Sequence, residues 1–228
     1  MTNLSRRTFL GTAITTTAIG AAGLGAADDT DGVYLYDDFT DGLDAWEVGA
    51  STSTLDDSTP FEVGLTSDHT LDGDVAAELE WDATVDHGAV WLTREVDVES
   101  GDSYIGTISL AAHSPTESFN KLSKLRVYAG FDEPEHLDDF PTQDETWHLN
   151  SPVTGLSEPL NQTEGWEEFE IHWETPTVES DTIYLAVGIQ STWETAITHA
   201  IDCVEVDLER QEPAPVANQS SWFSWNLW

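Results

Sequence analysis

Three predicted β-strands place aromatic, amide, hydroxyl and guanidinium side chains on one outward face. The strands lie in residues 105–113, 124–132 and 182–190, and every second side chain points away from the predicted core. If the three strands are neighbours, small residues form an open floor bordered by these groups. Flat rings that stack on C–H groups and planar polar groups that bind hydroxyls suit a carbohydrate. The candidate ligand-binding residues, with three tryptophans at the rim, are Trp91, Ser109, Arg126, Tyr128, Trp147, Tyr184, Gln190 and Trp193.

Positive charge is concentrated beside this face. Three of the five basic residues that follow position 27 lie between Lys121 and Arg126, where they could meet an acidic sugar. A second interpretation stays open, in which Lys124 and Arg126 pair with nearby carboxylates and the aromatic rings are half-buried packing.

Catalytic signatures are scarce. With 44 Asp and Glu residues, no glycosidase pair of carboxylates stands out. No nucleophile-elbow, zinc-peptidase or phosphate-loop motif occurs, and the seven histidines show no metal-ligand spacing. The sequence therefore favours a binding protein over an enzyme.

The elements that must position these groups are short β-strands. Nine segments are rich in β-branched or aromatic residues, alternate with period two and are separated by Gly, Asp, Ser and Pro turns. The pattern predicts an all-β fold, a single jelly-roll β-sandwich of two antiparallel sheets. The nine predicted strands are Val33–Phe39, Trp46–Val48, Ala76–Trp81, Ala89–Val98, Tyr104–His113, Leu122–Phe131, Glu167–Trp173, Thr182–Gln190 and Ala200–Leu208.

One face of each strand is expected to form the core between the two sheets. The region Asp132–Gly165 is predicted to be a strand-poor insertion, which either carries function or covers a sheet edge. The predicted core residues are Tyr104, Ile108, Leu110, Leu125, Val127, Ala129, Phe131, Ile183, Leu185, Val187, Ile189, Val204, Val206 and Leu208.

The first residues are typical of an export signal. Arg6 and Arg7 precede a Phe-Leu pair and a mildly apolar run, and small residues at 25–27 offer a cleavage site. This pattern predicts a twin-arginine signal peptide over residues 1–27, and hence a secreted or cell-surface protein that is exported folded. The predicted domain covers 28–210, and 211–228 is read as a linker and a tail.

The charge of the chain predicts its surroundings. The formal net charge is −37, and without Arg6 and Arg7 it is about −39. Ten Trp, eight Phe and five Tyr nevertheless indicate a folded domain. A folded domain with this charge needs strong screening, such as the ~3 Å Debye length of molar salt, so we expect a halophilic protein. The same charge argues against nucleic acid as a partner.

The last seven residues, Trp222–Trp228, contain three tryptophans. An exposed patch of this kind would contact a membrane or a second molecule, whereas a tail that folds back would only pack on its own domain. Two glycosylation sequons begin at Asn161 and Asn218.

Four segments, in order, resemble carbohydrate-binding modules of the galactose-binding-like superfamily. They are an Asp-Phe-x-x-Gly opening followed by Trp46, a Val-x-Val-x-x-Gly turn in Ala89–Ser103, the Gly-Trp-x-x-Phe start at Gly165, and the Ile-Asp-x-Val close at Ile201. The resemblance covers most of residues 33–209 and implies a jelly roll.

The resemblance also implies a structural calcium ion, since hard oxygen ligands suit Ca²⁺. Its closing-strand ligand would be Asp202, joined by one or more of Asp37, Asp38 and Asp41. Cys203 stands where the family often has a second Asp, so one ligand of the family's pattern is missing.

These observations support three hypotheses. The first is a secreted, non-catalytic carbohydrate-binding protein that binds extracellular or cell-surface polysaccharide in high salt. The second is a self-assembling or cell-surface structural or adhesion protein that docks through residues 222–228. The third is a polysaccharide-degrading enzyme with the same fold.

Overall fold

The structure, a computed structural model, describes residues 32–51, 61–81, 88–142, 147–193 and 195–211. The predicted signal peptide with Arg6 and Arg7, and the tail with Asn218, lie outside the described residues. Within the part of the chain that the structure describes, no helix has the length and apolar character needed to span a membrane.

The described residues form strands joined by turns, with one short 3₁₀ turn at Leu137–Asp139. Alternating side chains of β-branched and aromatic residues explain the strands, because each can bury one face and solvate the other. The strands are β1 (Gly32–Asp37), β2 (Glu47–Ser51), β3 (Phe61–Thr66), β4 (Ala76–Trp81), β5 (Ala89–Asp97), β6 (Tyr104–Ser114), β7 (Ser123–Gly130), β8 (Trp147–His148), β9 (Val153–Pro159), β10 (Gly165–Glu174), β11 (Thr182–Ser191) and β12 (Ile197–Arg210).

The strands form two sheets. Sheet A has seven strands in the order β3-β4-β12-β6-β10-β8, and β1 pairs with β12 on the same side as β4 but along the other half of β12. Sheet B has five strands in the order β2-β5-β11-β7-β9. Every pair is antiparallel except β10 with β8. The prediction of an all-β sandwich with two antiparallel sheets is therefore confirmed, apart from this one parallel pair.

The core lies between the two sheets. The predicted core residues are all buried there, except that Phe131 is partly buried at its margin. On β12 the alternation changes phase at a bulge, where the register to β6 shifts between Asp202 and Glu205 and Cys203 has a φ of 53°. The bulge keeps Ile201 and Val204 both directed inward.

Three strands of the structure were not predicted from the sequence. They are β3, β8 and β9, and the last two lie inside the segment predicted to be poor in strands. β9 extends sheet B by pairing with β7, so this part of the segment supplies the sheet edge itself.

Candidate functional site

The outer face of sheet B carries five of the predicted ligand residues. Trp91 of β5, Arg126 and Tyr128 of β7, and Tyr184 and Gln190 of β11 alternate with core residues in adjacent, paired strands. The structure thus places these five on one face, as the alternation predicted.

This face is covered by the chain itself. After the 3₁₀ turn, the ring of Phe140 packs 5.2 Å from that of Trp91 and 5.7 Å from that of Tyr128, centroid to centroid. All three rings are buried and form a second small apolar cluster. The Tyr128 hydroxyl donates a hydrogen bond to the Asp132 carbonyl, and its burial raises the pKa of Tyr128 to about 12. The open face that the sequence predicted is therefore covered at Trp91 and Tyr128.

Arg126 links the covering segment, at Phe140 and Pro141, to sheet B through hydrogen bonds. Its Nη1 donates to Gln190 Oε1 at 2.9 Å, and its Nη2 donates to the carbonyls of Phe140 and Pro141 at 3.0 and 3.1 Å. The residue is 4% exposed, and this burial lowers the pKa of Arg126 while the charge of Asp138 acts in the opposite direction. In the described part of the chain the ion pairs involve Arg94, His172 and Arg210, so Arg126 has neutral partners. Arg126 therefore binds neutral oxygens and not a carboxylate, whereas the rings of Trp91 and Tyr128 are packed, as the second interpretation expected.

Two of the predicted residues on this side stay accessible. Tyr184 is half-buried opposite Glu95, and partial burial together with that carboxylate raises the pKa of Tyr184. Trp193 follows the end of β11 and is 59% exposed.

Ser109 and Trp147 lie on the other sheet. The condition that strand 105–113 neighbours the other two is not met, because β6 pairs with β12 and β10 in sheet A. The eight-residue connection 115–122 carries the chain from β6 in one sheet to β7 in the other.

The outer face of sheet A carries an open row of side chains. Cross-strand partners run from Tyr34 of β1 through Asp207, Thr107 and His172 to Trp147 of β8. Four strand spacings of ~4.8 Å separate the two ends by about 19 Å. Tyr34 is 67% exposed and Trp147 is 61% exposed. The row therefore has an aromatic ring at each end and small or polar groups between them.

The middle of this face is lined with hydrogen-bonding groups. Ser109 lies in the adjacent row, between Glu205 and Glu170, and the hydroxyl of Thr107 is two residues away on the same strand. Partial burial and the nearby Glu205 and Asp207 carboxylates raise the pKa of Tyr34. Carboxylates and hydroxyls of this kind accept hydrogen bonds from sugar hydroxyls.

Sequence reasoning missed Tyr34, Tyr36 and His172 as surface residues of this face. The alternation in β1 was a usable signal, because Val33 and Leu35 pack on the core and the two tyrosines must then point outward. His172 stacks on Trp147 with centroids 3.9 Å apart. No sequence signal placed these two together, since β8 has only two residues.

The side chain of Asn161 forms hydrogen bonds within the fold. Its Oδ1 accepts hydrogen bonds from the amides of Leu122 and Ser123, and its Nδ2 donates to the Asn120 carbonyl at 2.6 Å. The residue is buried. The folded chain therefore gives the sequon at Asn161 no accessible amide for glycan attachment.

Two of the predicted calcium ligands, Asp37 and Asp202, bind other groups of the protein. Asp37 accepts hydrogen bonds from Phe39 and Trp46 and pairs with Arg94. Asp202 is fully buried, and its carboxylate accepts hydrogen bonds from the backbone N–H groups of Leu71, Asp72 and Cys203. In the described ranges no group of three or more His, Cys, Asp or Glu side chains is placed to hold a metal ion. A calcium ion held by Asp202 with one or more of Asp37, Asp38 and Asp41 stays a prediction for chelation to test.

Comparisons with known proteins give structural neighbours only. No protein-family model and no curated protein sequence matches the chain. A β-sandwich carbohydrate-binding module, studied for promiscuous specificity, has a TM-score of 0.46 at 16% identity over 77% of this chain and 60% of its own length. A module in complex with β-1,4-galactotriose has a TM-score of 0.44 at 15% identity over 76% and 94%. A xylan-binding domain from Paenibacillus barcinonensis has a TM-score of 0.44 at 12% identity over 82% and 100%. At such identities the likeness concerns the fold alone.

Proposed function

We propose that this chain is a non-catalytic carbohydrate-binding protein that holds extracellular or cell-surface polysaccharide in high salt, after export by the twin-arginine route. One observation carries the binding proposal: Tyr34 and Trp147 stand exposed at the two ends of a single row across sheet A, with hydroxyls and carboxylates between them. Exposed rings at this spacing contact separate sugar units of one chain.

The charge of the face selects the ligand class. Glu205, Asp207 and Glu170 line the middle of the row and its neighbour. A carboxylate-bearing sugar would be repelled there, whereas a neutral sugar can donate its hydroxyls to the same oxygens. The ligand of this face is therefore a neutral polysaccharide.

Affinity electrophoresis through soluble neutral polysaccharides in ~1 M NaCl tests this proposal. Tyr34→Ala and Trp147→Ala are each expected to weaken binding on the order of tenfold, the loss typical of one aromatic anchor. Both side chains are largely exposed, so both variants should fold. No reducing ends should be released from the polysaccharide.

Tyr184→Ala is the matched control on the opposite sheet and should bind as the parent chain does. If Tyr184→Ala lost binding while Tyr34→Ala and Trp147→Ala kept it, the site would lie on sheet B instead. Release of reducing ends would make the chain an enzyme.

A further inference from the structure

The connection between β6 and β7 presents an apolar side chain to solvent. Phe119, in the middle of residues 115–122, is 99% exposed. Its ring adds nothing to the core, so packing does not explain a large apolar residue at this position.

This connection is held in one shape. Asn161 binds it at three points, with its side chain on Asn120 and Leu122 and its carbonyl accepting from Ser118 N at 2.7 Å. The Ser118 hydroxyl in turn accepts from Asn120 N. A rigid loop presents the Phe119 ring without an ordering cost on binding.

A second exposed ring lies at the same end of the sandwich. Thr192 donates from its amide to the Leu122 carbonyl at 2.9 Å and from its hydroxyl to the Lys121 carbonyl. Trp193 is the next residue along the chain. The hydrogen bonds thus tie together the two loops that carry Phe119 and Trp193.

The same end carries the lysines of the chain. Lys121 is exposed on the loop, and Lys124 is the second residue of β7. Among the described residues neither lysine pairs with a carboxylate, since the ion pairs there involve other cations. Glu117 is the acidic residue of the loop. In a chain of net charge −37, both lysines of the sequence lie at this end, and their ammonium groups can pair with an anion.

We propose that this end, the aromatic–lysine tip (Phe119, Lys121, Lys124 and Trp193), binds a polysaccharide that bears carboxylate or sulfate groups. The two rings stack on the C–H faces of sugars, and the ammonium groups pair with the anionic substituents. Where carboxylates line the rest of the surface, they would repel the anionic groups of the polymer at contact, a distance at which molar salt does not screen them fully, so the polymer docks at the tip. A second copy of this chain is the alternative occupant, and light scattering tests it.

The full chain is tested by affinity electrophoresis in ~1 M NaCl against polygalacturonate for carboxylate, dextran sulfate for sulfate, and dextran as a neutral polymer. We expect retardation by at least one of the two anionic polymers. Phe119→Ser should weaken that binding about tenfold without lowering the melting temperature, because the ring touches no core residue. Lys121→Gln should weaken it and reduce its dependence on salt concentration.

Tyr34→Ala is the matched control, since it removes an exposed ring from sheet A and leaves the tip intact. Equal loss in Tyr34→Ala and Phe119→Ser would overturn the assignment to the tip. So would the absence of retardation by both anionic polymers, or binding of vesicles of phosphatidylglycerol that Phe119→Ser abolishes while polymer binding persists. A parent chain that runs as a dimer in light scattering and becomes monomeric in Phe119→Ser would also overturn it, in favour of self-association.

Discussion

Acidification should destabilise this fold through one buried histidine. His199 lies in the core on β12, with Nε2 2.8 Å from the Ser123 hydroxyl and Nδ1 3.2 Å from the His113 carbonyl. A neutral ring satisfies both partners by accepting from the hydroxyl and donating to the carbonyl. Burial lowers the pKa of His199 to about 4.

The sign and size of the effect follow from linkage. The unfolded chain binds a proton at His199 near its ordinary pKa of about 6.5, whereas the folded chain resists protonation down to about 4. Stability is therefore fully present above about pH 6.5 and is lost as the pH falls toward 4. At about pH 5 the loss from this group is about 2 kcal/mol.

Urea unfolding at about pH 7.5 and about pH 5, in ~1 M KCl, measures this loss. His199→Gln keeps a donor and an acceptor for the two partners but does not titrate, so it should lose about 2 kcal/mol less than the parent chain over this interval. Protonation of the carboxylates affects both chains alike and cancels in the difference. Equal losses in the parent and in His199→Gln would refute a histidine that is buried neutral.

Further predictions concern the acidic residues. Asp202→Asn should lower the free energy of unfolding by about 2 kcal/mol, because the buried carboxylate accepts hydrogen bonds from the amides of Leu71, Asp72 and Cys203. Thermal melts in high salt measure this, with the exposed Asp97→Asn as a control that should change little. The predicted calcium ion is tested by EDTA in the same melts: a lower melting temperature supports it and an unchanged one removes it. The parent chain should unfold at ~50 mM NaCl and refold in molar salt, as followed by near-ultraviolet circular dichroism; a stable fold at low salt contradicts the screening argument.

The strands could be predicted where each one buries a single face. β4 was predicted over its full length, Ala76–Trp81, and the inward residues of β7, β11 and β12 were identified by alternation alone. β9 was missed because its sequence combines Gly155 and Pro159 with few β-branched residues, which weakens the pattern. Its place beside β7 depends on a long-range pairing.

The candidate site was harder to predict because it depends on which strands are neighbours. Alternation showed which side chains of β6 point outward, but not that β6 lies in sheet A while β7 lies in sheet B. Ser109 was therefore grouped with Arg126 and Tyr128, although it lies on the outer face of the opposite sheet, across the core from them. Sequence-local reasoning fixes the face of a residue within its strand, and only the tertiary pairing fixes the residues beside it.

The two outer faces differ because the side chains of sheet B let a covering segment approach the sheet, whereas the side chains of sheet A do not. Around Tyr128 on sheet B the neighbouring positions are Ala186 and Gly155, and an added Cβ at Gly155 would lie 2.9 Å from Pro141 Cδ. These small residues leave the backbone accessible, and the segment that carries Phe140 covers it. On sheet A the aromatic rings stand among carboxylates such as Glu205 and Asp207, and burying a carboxylate that has no cationic partner would cost several kcal/mol. No apolar segment can close over such rows at an acceptable free energy. The charge of the neighbouring rows is therefore the property that separates an aromatic residue used for packing from one left open for a ligand.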